Sequence, residues 1–131
     1  MTSHRSAAAR LARVLIVEDE LLLAWHIESL VREQGHEVCG LVPDGEAAVE
    51  QAADLDAELV LMDVCLAGHM DGIEAARLIR EQRGTPVIFI TAHGDETTRA
   101  RINTILPGTP VLAKPISAER LREAIESALL A

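Results

Sequence analysis

Arg13-Val14-Leu15-Ile16-Val17-Glu18-Asp19-Glu20 is a short, continuous β-branched run that stops abruptly at three carboxylates. With apolar side chains at successive positions rather than alternate ones, it predicts a strand buried on both faces. Such strands belong to parallel sheets covered by helices on each side, which leaves the acidic triplet at the strand's carboxyl end. The same pattern recurs downstream. Glu58-Leu59-Val60-Leu61-Met62 ends at Asp63, Val87-Ile88-Phe89-Ile90 ends at Thr91, and Val111-Leu112-Ala113 ends at Lys114. His36 to Val42 reads as one more strand, making five.

Helical periodicity fills the gaps. From Glu20 to Gln34, Leu23, Ile27, Leu30 and Val31 recur at helical spacing and Gly35 closes the helix. This phase turns Trp25 away from the sheet and sets His26 nearer the buried side. Pro43-Asp44-Gly45 turns into an Ala-rich helix over 44–54. A loop at Gly68 to Gly72 precedes helix 71–83, with Ile73, Ala76, Leu78 and Ile79 inward. Helix 95–105 contains Thr97, Thr98, Asn103 and Thr104, all poor helix formers. Ser117 caps the last helix, 118–130. Five strands alternating with five helices predict a flavodoxin-like (βα)5 three-layer sandwich, with a parallel sheet in order 2-1-3-4-5 and right-handed crossovers. In such sheets reactive groups gather beyond the carboxyl ends of the strands, at the switch point between strands 1 and 3.

Composition narrows the classes of function. The chain has 131 residues and a net charge of −9, which disfavours a nucleic-acid surface because a phosphate backbone would be repelled. Aromatic content is 2% with no Tyr, so Val, Leu, Ile and Ala must pack the core. Cys39 and Cys65 match no metal-ligand spacing and are expected to be reduced thiols. Residues 1–11 are expected to form a flexible tail ahead of a single domain over 12–131. They carry no apolar run long enough for a secretory signal, no segment is long enough to span a bilayer, and a cytoplasmic protein is expected.

The rim residues carry the chemistry. Glu18, Asp19, Asp63, Thr91 and Lys114 would converge on one edge although they are scattered along the sequence. Each like-charged carboxylate pair at about 4 Å costs roughly 4 kcal/mol at an effective dielectric near 20, so the cluster calls for a bound cation. Mg²⁺ suits it, because this ion takes oxygen ligands and one or two carboxylates and keeps waters for an incoming phosphate. The chain contains eleven arginines and only one lysine, Lys114. A compact ammonium on a flexible stem is therefore retained at the one place where a planar guanidinium would fit poorly.

Five segments in order, Val14-Leu15-Ile16-Val17-Glu18-Asp19-Glu20, Leu61-Met62-Asp63, Met70-Asp71-Gly72-Ile73-Glu74, Ile90-Thr91-Ala92 and Lys114-Pro115, resemble the receiver domain of bacterial two-component response regulators. The resemblance spans residues 12 to 130. It implies a stand-alone response regulator, not an enzyme beyond its own phosphorylation and dephosphorylation, with Asp63 as phosphoacceptor. It further implies Mg²⁺ held by Asp19, Asp63 and the Cys65 carbonyl, and by Glu18 through water. Thr91 and Lys114 would contact the phosphoryl group. Implied partners are a sensor histidine kinase or histidine phosphotransfer protein docking near Leu21, Leu22 and Trp25, and a downstream protein; a homodimer is left open. The family usually has a cis peptide before the proline that follows this lysine.

The departures are as informative. Receivers usually carry Tyr or Phe three residues before the lysine, as a partner of the threonine switch. Here that position is Val111, so coupling between Thr91 and strand 5 must differ. Phe89 reads as core. Residues 87–91 and 107–115 are similar to an alphaproteobacterial group of single-domain receivers with Phe-x-Thr on strand 4. Cys65 and His93 occupy positions that face the phosphoryl group in the family, and neither side chain is of the kind that orients water for fast hydrolysis, which implies a long-lived phosphoryl group. Two other functions share parts of this pattern. A Mg²⁺-dependent phosphohydrolase of the haloacid dehalogenase type would want an acid two residues after its nucleophile, where Cys65 stands. A receiver-like binding module without phosphorylation would need a defective acceptor site.

Overall fold

The computed structural model of the protein describes residues 11–92 and 96–130. The expected tail, apart from Leu11, and the expected role of His93 lie outside the described residues. Strands β1 (Arg13–Val17), β2 (Glu37–Val42), β3 (Leu59–Asp63), β4 (Val87–Thr91) and β5 (Val111–Ala113) alternate with helices α1 (Leu21–Glu33), α2 (Gly45–Asp54), α3 (Gly72–Arg83), α4 (Glu96–Ile105) and α5 (Ala118–Leu130). All pairings are parallel, and the strand order is β2-β1-β3-β4-β5. The flavodoxin-like arrangement expected from the sequence is the one observed.

The two parities of each central strand feed two cores. On one face Leu15, Val17, Val60, Met62 and Phe89 pack with Ala48 and Ala52 of α2, Ile73, Ala76 and Ile79 of α3, and Ile102 of α4. On the other, Val14, Ile16, Leu59, Leu61, Ile88 and Ile90 meet Ile27 and Val31 of α1 and Leu121 and Ile125 of α5. Helices cover both faces, which is why β3 and β4 are buried at every position and show no polar alternation. Phe89, the only Phe, is fully buried core and lies in register beside the half-buried Val111.

Helix ends follow local chemistry. Asp44 Oδ1 accepts from the Ala47 N–H at 2.8 Å and Asp71 Oδ1 from the Glu74 N–H at 2.9 Å, satisfying donors that a helix start leaves free. Ser117 Oγ accepts from the Arg120 N–H at 3.3 Å, the cap expected for α5. Gly84 ends α3 in the left-handed region, φ 71°, which costs glycine little. The Lys114–Pro115 peptide is cis, as the resemblance implied.

One expectation fails on α1. His26 is exposed rather than turned toward the core. The buried line of this helix is Ala24, Ile27 and Val31, with Leu23 and Leu30 only half-buried. At 100° per residue His26 falls about 130° from that line. Reading the stripe from the larger leucines, rather than from the small Ala24, put the phase about half a position out. Trp25 is 51% exposed, away from the sheet as expected.

Candidate functional site

Parallel pairing of β1 with β3, and of β4 with both β3 and β5, brings four strand ends to one rim. Glu18 and Asp19 follow β1, Asp63 is the last residue of β3, Thr91 the last of β4, and Lys114 follows β5. A carboxylate oxygen from each of Glu18, Asp19 and Asp63 lies within 4.8 Å of the other two. Lys114 Nζ reaches across the strand ends to 3.1 Å from Glu18 Oε1 and 3.1 Å from Asp63 Oδ2. Three carboxylates and one ammonium leave two net negative charges in one pocket when all are ionised.

Burial makes that charge expensive. Glu18 is 5% exposed, Asp63 4% and Thr91 1%, whereas Asp19 opens to solvent. Desolvation pushes Glu18 up to about 7, and the neighbouring Asp63 charge adds to the rise. The Glu20 N–H, 3.2 Å from Oε2, and the Lys114 ammonium oppose it. Burial also works against the Lys114 charge, but the hydrogen bond to Asp63 and the attraction of the Glu18 carboxylate outweigh it, and the net effect is to raise this lysine's pKa. Glu18 Oε1 sits at ion-pair distance from Nζ yet outside hydrogen-bonding angles, and it is a buried acceptor without a donor.

Asp63 is held at both oxygens. Oδ1 accepts from the Cys65 N–H at 3.1 Å and Oδ2 from Lys114 Nζ at 3.1 Å. Thr91 is tied to the same rim through its carbonyl, which accepts from the Lys114 N–H at 3.0 Å. Cys65 itself is exposed. Leu21, Leu22 and Trp25, 58%, 79% and 51% exposed, form an uncovered apolar strip on α1, which begins two residues after Asp19.

Two contributions escaped the sequence reading. The Cys65 main-chain N–H, not its thiol, is what touches Asp63. Asp71, besides capping α3, pairs through Oδ2 with Arg101 of α4 at 2.7 Å. Burial alone would raise the Asp71 pKa, but Arg101 and the Glu74 N–H hold it below the usual value. The Asp-Gly pair ahead of an amphipathic run is a signal that could have found the cap; nothing in the sequence signalled the pairing with Arg101.

The donor set fits a hard divalent cation: three carboxylate oxygens within 4.8 Å of one another, and a buried Glu18 oxygen that accepts no hydrogen bond. No described helix is long and apolar enough to cross a membrane.

Comparison with known proteins agrees with this geometry. Residues 14–126 match the family model of the response regulator receiver domain. The chain is 40% identical over 119 residues to the transcriptional regulatory protein PdtaR of Mycobacterium tuberculosis, covering 89% of this chain and 56% of that protein. It is 35% identical over 116 residues to the sensory transduction protein RegX3 of Mycobacterium bovis, covering 88% and 50%. It thus spans about half the length of these relatives. Among solved structures, the signal receiver domain of a modulated diguanylate cyclase from Desulfovibrio desulfuricans superposes with TM-score 0.85 at 37% identity, over 92% of this chain and 95% of that one. The receiver domain of PhyR from Erythrobacter litoralis gives 0.80 at 36% identity, over 94% and 93%. With the fold, the rim and these matches in agreement, the chain belongs to the response regulator receiver domain family of two-component signalling.

Proposed function

We propose that this domain accepts a phosphoryl group on Asp63 from the phosphohistidine of a sensor histidine kinase or phosphotransfer protein, in a Mg²⁺-dependent reaction, and signals through protein–protein contact. What supports the reading above all is Lys114 Nζ lying 3.1 Å from both Glu18 and Asp63, with Asp19 completing the carboxylate triangle. Glu18, Asp19, Asp63 and the Cys65 carbonyl would hold the metal. When bound, Mg²⁺ supplies charge neutralisation for the phosphoryl oxygens.

The residues divide the remaining work. The Cys65 N–H keeps Asp63 Oδ1 in place, so the carboxylate enters with a fixed orientation. Asp63 attacks phosphorus, an O–P bond forms, and the P–N bond to the donor imidazole breaks. Lys114, already poised on Asp63 Oδ2, follows the negative charge onto the phosphoryl oxygens. The Thr91 hydroxyl donates to one of them once they are in place. The side chains of Leu21, Leu22 and Trp25 offer the donor protein an apolar ledge beside the pocket, and Thr91 with Val111 would pass the change toward α4.

Incubation with acetyl phosphate and Mg²⁺, followed by intact mass, tests the reading. The expected result is a gain of about 80 Da that Asp63→Asn abolishes and chelation prevents. A chain that gains no mass, or gains it equally in Asp63→Asn, is not the acceptor described.

A further inference from the structure

The segment that carries Asp63 onward, residues 64–71, is pressed between two glycines. Gly72, the first residue of α3, is fully buried and its N–H donates to the Val64 carbonyl at 3.0 Å. Its bare Cα faces the Asp63 peptide. A Cβ there would fall inside the van der Waals envelope of the Asp63 carbonyl oxygen, with the carbonyl carbon 2.9 Å away and Met62 Cγ 3.0 Å away. Neither neighbour is a flexible side-chain tip that can swing aside, because Met62 is itself fully buried. On the other flank, Gly45 at the start of α2 lies against Met70. A Cβ at that position would meet the Met70 carbonyl oxygen at 2.8 Å. An isolated parallel bridge between Asp44 and Ala67 fixes the loop to the same helix start.

We propose that Gly72 is a positioning residue for phosphoryl acceptance, and that Gly45 assists it by setting the loop that begins at Cys65. This rests on Asp63 being the acceptor. The Asp63 carboxylate is set by its own carbonyl seating on Gly72, by the Cys65 N–H on Oδ1 and by Lys114 Nζ on Oδ2, and the first two hang on the backbone that Gly72 receives. Any side chain at 72 must displace the Asp63 peptide, α3, or both. The carboxylate then moves relative to Glu18, Asp19 and Lys114, which stand on other strands and do not move with it. Misplacement of a reacting group by about 1 Å costs on the order of 100-fold in rate.

The test separates position from stability. A Cβ at Gly84 would meet nothing within 4 Å, and its φ is 71°, so Gly84→Ala strains the backbone at the far end of α3 without crowding the acceptor. Gly72→Ala and Gly84→Ala are compared with the unsubstituted protein for melting temperature, Mg²⁺ affinity by calorimetry, and initial phosphorylation rate by acetyl phosphate at saturating Mg²⁺. Gly72→Ala is expected to lose about 10- to 100-fold in rate. Gly84→Ala is expected to keep the rate and the Mg²⁺ affinity despite a lower melting temperature. An unaltered rate and affinity in Gly72→Ala, or equal losses in Gly84→Ala, overturn the proposal. Should Gly72→Ala fail to fold, Gly45→Ala decides: weaker Mg²⁺ binding with the fold retained supports it, and unchanged binding and rate overturn it. An unsubstituted protein that neither binds Mg²⁺ nor takes up the phosphoryl group overturns the acceptor reading, and this one with it.

Discussion

A single side chain, Lys114, balances the site. Its ammonium reaches two carboxylates from one point, 3.1 Å from each. A guanidinium spreads its charge over a plane and favours bidentate pairing with one carboxylate, so arginine would hold Asp63 in place of releasing it to the incoming group. Lys114→Arg is therefore expected to fold normally and to lose about 10- to 100-fold in phosphorylation rate. Stopped phosphorylation reactions read by intact mass check this, and a rate equal to that of the lysine form would show that charge alone suffices. The placement of this residue beside the carboxylates was legible in the sequence because it is the one lysine in the chain and follows a strand end. The part played by the Cys65 N–H was not, since main-chain donors leave no mark in side-chain identity. Nor was Gly72, whose absent side chain is read only against the neighbouring Asp63 peptide.

Elements were legible wherever burial on both faces or a cap decided them. β1, β3 and β4 announced themselves as unbroken apolar runs, and Asp44 and Ser117 marked helix starts. Helix phase was less secure, as His26 demonstrates, because alanine can define a buried stripe that larger neighbours only flank. His36 holds a junction between elements that the sequence did not reveal. Its Nδ1 accepts from the Ala12 N–H at 3.2 Å, joining the end of α1 to the entry of β1, so the ring must be neutral with its proton on Nε2. Burial lowers its pKa below the ordinary histidine value, while Glu126 of α5 pulls the other way. Glu37, Arg32, Arg13 and Glu58 surround the same hollow. A histidine whose folded pKa is depressed contributes stability above its unfolded value, near 6.5, and loses it as pH falls through the folded value. Glu18, raised to about 7, pulls the opposite way over the same window, so chemical denaturation between pH 7.5 and pH 5 reads His36 as a difference: relative to the parent, His36→Gln should gain stability as acid is added. Equal acid sensitivity in both would assign the dependence to other groups.

At the scale of the whole molecule, sheet order and site place follow from one another. Order 2-1-3-4-5 sets β1 beside β3, so acids from two distant segments must meet, and the strand-end residues identify themselves once the topology is known. The same convergence loads a chain of net charge −9 with further unscreened repulsion at one rim. The folded state gathers these carboxylates and the unfolded chain disperses them, so a divalent cation that prefers the gathered arrangement must stabilise the fold by linkage. At a Mg²⁺ concentration 100 times the dissociation constant, the gain is about 2.7 kcal/mol. For a chain of this length that is an increase on the order of 10 °C in melting temperature. Asp19→Asn should lose most of the increase, having lost an exposed carboxylate of the cluster without burying a new group. Glu18→Gln should melt higher than the parent in the absence of metal, because it removes a desolvated charge from beside Asp63, and should gain less from Mg²⁺. Sodium chloride at matched ionic strength supplies the control, since general screening relieves surface repulsion without occupying the pocket. A melting temperature that rises equally with either salt, in parent and variants alike, would mean that the rim is merely acidic and not a cation site.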